Sequence, residues 1–166
     1  MHALGRAKEG LSLYKLLDKT KSTGGRLLLM NWVLRPLQSI DEIEERLDAI
    51  EFLLQPSNCA RLDEMRSILA RMKSIRTVCS RIHTELLVVD LEALAQFAYA
   101  AVKLVSLLMS LGGLPVLLEK FLAIDKACFG ELGSRIIKMI DFDSSKEEQR
   151  VVIASGNSDK VDHLRD

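Results

Sequence analysis

Residues able to do covalent or metal chemistry are few and scattered in this chain. Cys59, Cys79 and Cys128 have no close spacing, and His2, His83 and His163 fall among them without the intervals that a zinc site requires. No histidine lies beside a cysteine to lower a thiol pKa, so the thiols read as structural; His83, between Ile82 and Thr84, reads the same way. An odd cysteine count without framework spacing points to a reducing compartment. The carboxylate pairs Glu44-Glu45 and Glu147-Glu148 are adjacent in sequence, so their side chains diverge on solvated faces instead of converging as an acid and a base. Gly24-Gly25-Arg26 lacks the lysine and the preceding strand of a phosphate loop, Gly112-Gly113-Leu114 separates two helices, and no Gly-x-Ser-x-Gly elbow occurs. The expectation is a chain with no catalytic, cofactor-binding or metal-binding residue.

Charge is the remaining chemistry. Between Arg61 and Arg81 six basic residues face two acidic ones, and on a helix Arg66 and Lys73, seven apart, share a face away from the Leu62, Met65, Leu69, Met72 seam. Such a stripe could neutralise a few phosphates in a salt-dependent way, and Lys15, Lys19 and Lys21 could do the same. The preferred reading is blander: a solvated face pairing with the acidic helix at 40–54. No aromatic residue interleaves with these arginines, which argues against a platform for stacking single-stranded bases. Direct DNA binding by the chain is expected to be weak or absent.

The elements that carry these residues are helical. Leu13, Leu16 and Leu17 make a first apolar set, Ser22-Thr23-Gly24-Gly25 a turn, and Arg26 to Leu34 a second helix stopped by Arg35-Pro36, so the two helices form a hairpin. Ser39 and Glu42 have the spacing of a capping box, and Ile40, Ile43, Leu47, Ile50 and Leu54 then recur at three and four residues. Pro56 closes that helix, and Ser57 or Asn58 caps the next. Residues 76–89 read as a short turn and a linker. Asp90 is placed as N-cap of a long helix with Leu91, Leu94, Ala98, Ala101, Val105 and Leu108 on one face. Gly112-Gly113 ends it, and Pro115 opens a last long helix running to about Ile140. Val151-Val152-Ile153 is a short β-branched run, Ser155 to Ser158 a turn, and residues 159–166 the first turns of a further helix. The fold class is all-α, a bundle of long helices with at most a short strand near 150–154.

The apolar stretch Ala95 to Leu118 is long enough to span a bilayer. Lys103 near its middle and the late break at Gly112, Gly113 and Pro115 favour a buried core helix, so no membrane role is expected. No charged and apolar leader of a secretory signal is present at the start. With 166 residues, 23 basic against 23 acidic groups and 48% hydrophobic residues, the chain has the size of one domain or part of one and is formally neutral. The neutrality is composite: residues 1–36 carry +5, 37–55 −5, 56–81 +4, and 82–130 and 131–166 −2 each.

The run Lys8-Glu9-Gly10-Leu11-Ser12-Leu13-Tyr14, then Leu16-Leu17-Asp18-Lys19-Thr20, Gly25-Arg26-Leu27-Leu28, Trp32, Arg35-Pro36-Leu37, Ile40, Ile43 and Arg46-Leu47-Asp48-Ala49-Ile50 resembles the start of the lever, or core, domain of the MutS family. The resemblance is strong over residues 8–55 and continues by pattern over 60–140. Gly5 to Gly10, Phe52 to Pro56 and Ile140 to Ser145 look most like the meiotic branch, eukaryotic MutS homologue five. It implies a lead-in at 1–10, the N-terminal half of the helical lever at 11–145, and a transition at 146–166 toward a clamp domain. Implied for the full-length protein are DNA binding at mismatches or recombination intermediates, ATP with Mg in a separate ATPase domain, and a partner subunit, homologue four. Meiotic crossing over or mismatch repair, in the nucleus, is the implied setting. This chain would be a fragment without clamp or ATPase, neither an enzyme nor a cofactor binder itself, with Leu27, Leu28, Trp32, Leu47 and Ile50 as packing anchors. The alternative from another class is a stand-alone helical interaction module with no DNA role.

Overall fold

The computed structural model describes residues 13–84 and 86–157. The lead-in at 1–10 and the helix start expected at 159–166 lie outside them. The order is α1 (Leu13–Leu17), α2 (Thr23–Leu34), α3 (Ile40–Leu54), α4 (Cys59–Arg71), α5 (Arg76–Arg81), α6 (Val88–Met109), α7 (Val116–Glu119), a 3₁₀ turn (Lys120–Ala123), α8 (Lys126–Met139) and α9 (Phe142–Glu147). No strand forms among the described residues. The β-branched run contributes a single antiparallel bridge, Ile140 with Ile153, so the all-α reading holds.

α6 is the spine. Its 22 residues rise about 33 Å at 1.5 Å each. The face predicted from periodicity is the buried one, with Ala98, Ala101, Val105 and Leu108 inside. Small side chains there let neighbouring helices come close, and α8 crosses α6 where Gly133 meets the Tyr99 ring. Phe97 and Phe129 pack nearby, ring centroids 6.3 Å apart and tilted by 55°. On the other side Met65 and Ile68 of α4 join Leu107 and Leu108 in one cluster, with Leu53, Leu104 and Leu122 against it. Gly113 ends the spine's exit turn at φ 66°, a left-handed conformation that suits glycine. The candidate span 95–118 is therefore not one helix. α6 itself is long and apolar enough to cross a membrane by length and composition, but its charged residues are engaged within the fold: Asp90 with Arg81, Glu92 with Lys146 and Lys103 with Glu64.

Several local expectations are corrected. Ser22 to Gly25 is not a turn: Ser22 is the N-cap of α2 and its Oγ accepts from the Gly25 N–H at 3.1 Å, so the helix absorbs both glycines in its first turn. Ser39 is the N-cap of α3, but its side chain makes no capping bond, because this exposed end leaves its N–H groups to solvent. Asn58 holds the N-cap position of α4 without a capping bond and instead donates from Nδ2 to the Phe52 carbonyl at 2.8 Å, closing the end of α3. Residues 76–81 form α5 where a linker was expected. Asp90 lies inside α6, with Leu87 as N-cap; its Oδ2 accepts from the Leu87 N–H at 3.1 Å and pairs with Arg81 at 3.2 Å. The long helix expected from Pro115 to Ile140 is broken at Ile124-Asp125, since Asp125 caps a new helix by accepting from the Ala127 and Cys128 N–H groups at 2.9 and 3.2 Å.

The segment after α9 folds back on α8. Asp141 N–H donates to the Val152 carbonyl at 2.9 Å and Ala154 N–H to the Met139 carbonyl at 2.8 Å. Buried Ser145 accepts from the Val152 N–H at 2.8 Å and donates to the Asp141 carbonyl. Asn157 Nδ2 donates to the Lys138 carbonyl at 2.8 Å.

Candidate functional site

The thiols and imidazoles are not gathered. Cys59, Cys79 and Cys128 are all free and exposed, and His83 is exposed. Among the described residues no group of three His, Cys, Asp or Glu could hold a metal ion. Glu45 pairs with Lys120 at 2.7 Å and Glu148 with Arg150, while Glu44 and Glu147 face solvent.

The predicted anchors lie on the surface. Leu27, Leu28, Trp32, Leu47 and Ile50 are between 40% and 56% exposed. α2 buries no residue and α3 only Ala49, so the apolar seam of α3 and most of α2 find no cover within the described residues. The contact that does join them is Arg46, whose guanidinium sits 3.7 Å above the Trp32 ring. Leu27 also lines an apolar hollow of about 510 Å³ with Met72, Phe97, Leu104 and Phe121.

Arg66 and Lys73 do not share one site. They belong to adjoining hollows on two sides of α4, separated by Ser67 and Ala70, which line both. Lys19 and Lys21 join Arg66 in a hollow of about 520 Å³; Arg71 and Lys103 join Lys73 in one of about 860 Å³ between α4 and α6. All six cations are exposed. Within the strip Asp63 pairs with Arg66 at 3.2 Å, and Glu64 with Arg61 at 3.5 Å and Lys103 at 3.7 Å. Lys19, Lys21, Arg71 and Lys73 have no ion pair among the described residues. The expected pairing of this basic face with α3 is not found. The ion pair α3 makes among the described residues is Glu45 with Lys120, while Arg66 and Arg71 of α4 line hollows bounded by the turn before α2 and by α6.

The turn at 18–22 holds Lys19 and Lys21 in place. Asp18 Oδ1 accepts from the Thr20 hydroxyl at 2.6 Å and its N–H at 3.1 Å, and Oδ2 pairs with Arg26 Nε at 3.2 Å. The Thr20 hydroxyl, followed by its N–H and the Arg26 charge, holds the Asp18 carboxyl below its ordinary range against the opposing effect of burial. Tyr14 donates to the Arg26 carbonyl at 3.3 Å, and desolvation, followed by the Asp18 charge, raises its phenol. Sequence reasoning named Lys19, Lys21, Arg66 and Lys73 separately but did not bring them together. Lys103, forty-two residues after Arg61 on a helix read as apolar core, carried no signal for its place beside α4.

A family model described as MutS domain III matches residues 2–162. The chain is 32% identical to a DNA mismatch repair protein MutS of Caldicellulosiruptor bescii, over 93% of this chain and 18% of that protein. It is 26% identical to MutS protein homolog 5 of Caenorhabditis elegans, over 95% of this chain and 12% of that protein. A stretch of 42 residues, 25% of this chain, is 62% identical to the DNA mismatch repair protein MSH3 of Mycosarcoma maydis, 4% of whose length it covers. The chain thus spans under a fifth of the length of these relatives. A match over nearly every residue, on an all-helical chain of this order of helices, makes the chain a member of the MutS domain III family.

Proposed function

We propose that this chain is a lever segment that carries a conformational change between an ATPase and a DNA clamp of a longer MutS-family protein, and is itself non-catalytic. The observation that carries this reading is the contrast between a long, close-packed spine and an apolar face on α1, α2 and α3 that is uncovered among the described residues. A rigid rod transmits displacement, and an apolar face of this size calls for further helices of the same protein. Nucleotide chemistry, with ATP and Mg, belongs in this reading to residues beyond the aligned segment. The parent protein would bind DNA as a dimer.

The finer reading is the meiotic branch, acting on recombination intermediates in the nucleus with homologue four as partner. The likeness to MutS protein homolog 5 along 95% of the chain supports it, as do Phe52 to Pro56 and Ile140 to Ser145. Co-purification of the full-length protein with homologue four tests it; stable pairing with itself alone would overturn it.

The lever reading is tested by softening the spine. Ala98→Gly with Ala101→Gly in the full-length protein adds backbone freedom inside α6. ATP hydrolysis is expected to stay within about twofold while the ATP-driven change in DNA residence time shrinks about tenfold, a loss of about 1.4 kcal/mol of coupling. An unchanged ATP response in a folded variant would remove the lever role.

A further inference from the structure

We infer that the basic strip across α4 is a track for the sugar–phosphate backbone of duplex DNA, held without base readout. The inference rests on the reading above that the chain serves a DNA-acting protein, and adds a contact that the lever itself makes. The strip is assembled by the fold from three separate places: Lys19 and Lys21 on the turn before α2, Arg66, Arg71 and Lys73 on and after α4, and Lys103 on α6. Six cations face two carboxylates, Asp63 and Glu64, and both carboxylates are already engaged by arginine or lysine. Lys19, Lys21, Arg71 and Lys73 are left without a counter-charge among the described residues, although the adjacent helix α3 holds Asp41, Glu42, Glu44, Asp48 and Glu51, which make no ion pair there either. The cations are therefore directed to an external anion and not to the nearest internal one.

The shape of the strip selects among polyanions. Ser67 and Ala70 form the divide between the two hollows, and their short side chains leave it low enough for a stiff backbone to lie across both. The one aromatic residue lining the strip is Tyr99. Its ring lies where a Cβ on Gly133 would stand 3.1 Å away, and its hydroxyl meets Ser134 Oγ at 3.4 Å, so one side of that ring is packed against α8. A strip with long cations, small residues and a single aromatic side chain suits phosphates, and lacks the succession of rings on which single strands stack. If the four uncompensated cations each neutralise one phosphate, the logarithm of affinity falls with a slope of about −3.6 against log salt, which is about 150-fold between 50 and 200 mM.

Fluorescence anisotropy of a short mixed-sequence duplex titrated with the 166-residue chain reads this directly. Lys19→Glu with Lys21→Glu, and separately Arg71→Glu with Lys73→Glu, are expected to weaken binding at low salt by at least about tenfold each and to flatten the salt slope by about two. Lys126→Glu with Lys138→Glu, the same charge change on α8, is expected to stay within about threefold. Circular dichroism melts keep folding apart from binding, since the substituted strip residues are all exposed. The same reversals in the full-length protein, read as its salt slope on duplex, serve where the shorter chain self-associates. Equal loss from the α8 pair would reduce the effect to net charge and overturn the track. Tighter binding to single strands, or equal competition by poly-glutamate at matched charge, would assign the strip to another partner and overturn it too. None of these outcomes touches the ATP response that tests the lever role, so the two readings fail separately.

Discussion

α6 and α2 are both strongly apolar helices, yet α6 buries Asp90 and seven apolar residues while α2 buries none. The same contrast runs through their surroundings. Around α6, glycine and alanine bring helices together, the buried polar groups Asp90, Asn58 and Ser145 are all bonded, and the core is continuous with α4, α8 and α9. Around α2 and the seam of α3, Leu34, Ile40, Leu47 and Leu54 all remain more than half exposed. Burial is a property of a pair of faces, and one region supplies both faces while the other supplies only one. The apolar side of α1 to α3 is well formed as a surface and has no counterpart among the described residues.

The contrast can be broken or sharpened by mutation. Leu108→Ala, at a position 4% exposed within the cluster of Met65, Ile68 and Leu107, is expected to cost about 2–5 kcal/mol by chemical denaturation. Leu47→Ala, on the uncovered seam, should change stability by no more than about 0.5 kcal/mol in the same chain. Equal losses would mean that the two regions are packed alike.

Gly133→Val comes next, at about 1–3 kcal/mol, because its side chain enters the Tyr99 ring. Gly133→Ala should lie near zero, since a gain in helix propensity of about 1 kcal/mol offsets the tighter crossing. A stable valine variant in thermal melts would show that α6 and α8 are less close than described.

Trp32→Ala is expected to cost about 1 kcal/mol in this chain, the order of its cation–π contact with Arg46. In the full-length protein the loss should rise to about 3–5 kcal/mol if further helices cover it, the value predicted for a buried tryptophan. Identical melts in both contexts would mean that this face stays uncovered.

The smallest effect concerns pH. Because the Asp18 carboxyl is held below its ordinary range when folded, its contribution is complete above the ordinary aspartate value near 3.9 and is lost as pH falls through the lowered native value. Protection of the Thr20 amide, taken as its exchange rate relative to the intrinsic rate at each pH, should therefore fall only in strong acid, and Asp18→Asn should remove that pH dependence while loosening the turn at neutral pH. Protection that is already lost at neutral pH would contradict the assignment.

Periodicity was enough to place most helices and the inward face of α6, because Ala98, Ala101, Val105 and Leu108 mark a single stripe. It failed where a short polar side chain chose between two local bonds: Asp125 broke a helix that apolar spacing continued, and Asp90 bonded backward to Leu87 from inside a helix it was expected to start. It also marked Leu27, Trp32 and Ile50 as apolar faces without revealing that they stay exposed among the described residues. The charge strip was half legible. Arg66 and Lys73 were expected on one helical face, but α4 ends at Arg71 and leaves Lys73 beyond it, and Lys19, Lys21 and Lys103 reach the strip only through tertiary packing.

The fold-back after α9 has a mechanical meaning. The returning segment runs antiparallel to residues 138–141, so a pull on the chain at residue 157 reaches the bond to Lys138 first, then that to Met139, and last that to Asp141. The bonds open in turn, and the force needed at each step is that of a single bond. The fold-back is therefore a seam that peels from residue 157 while the packing of Gly133 against Tyr99 stays as it is.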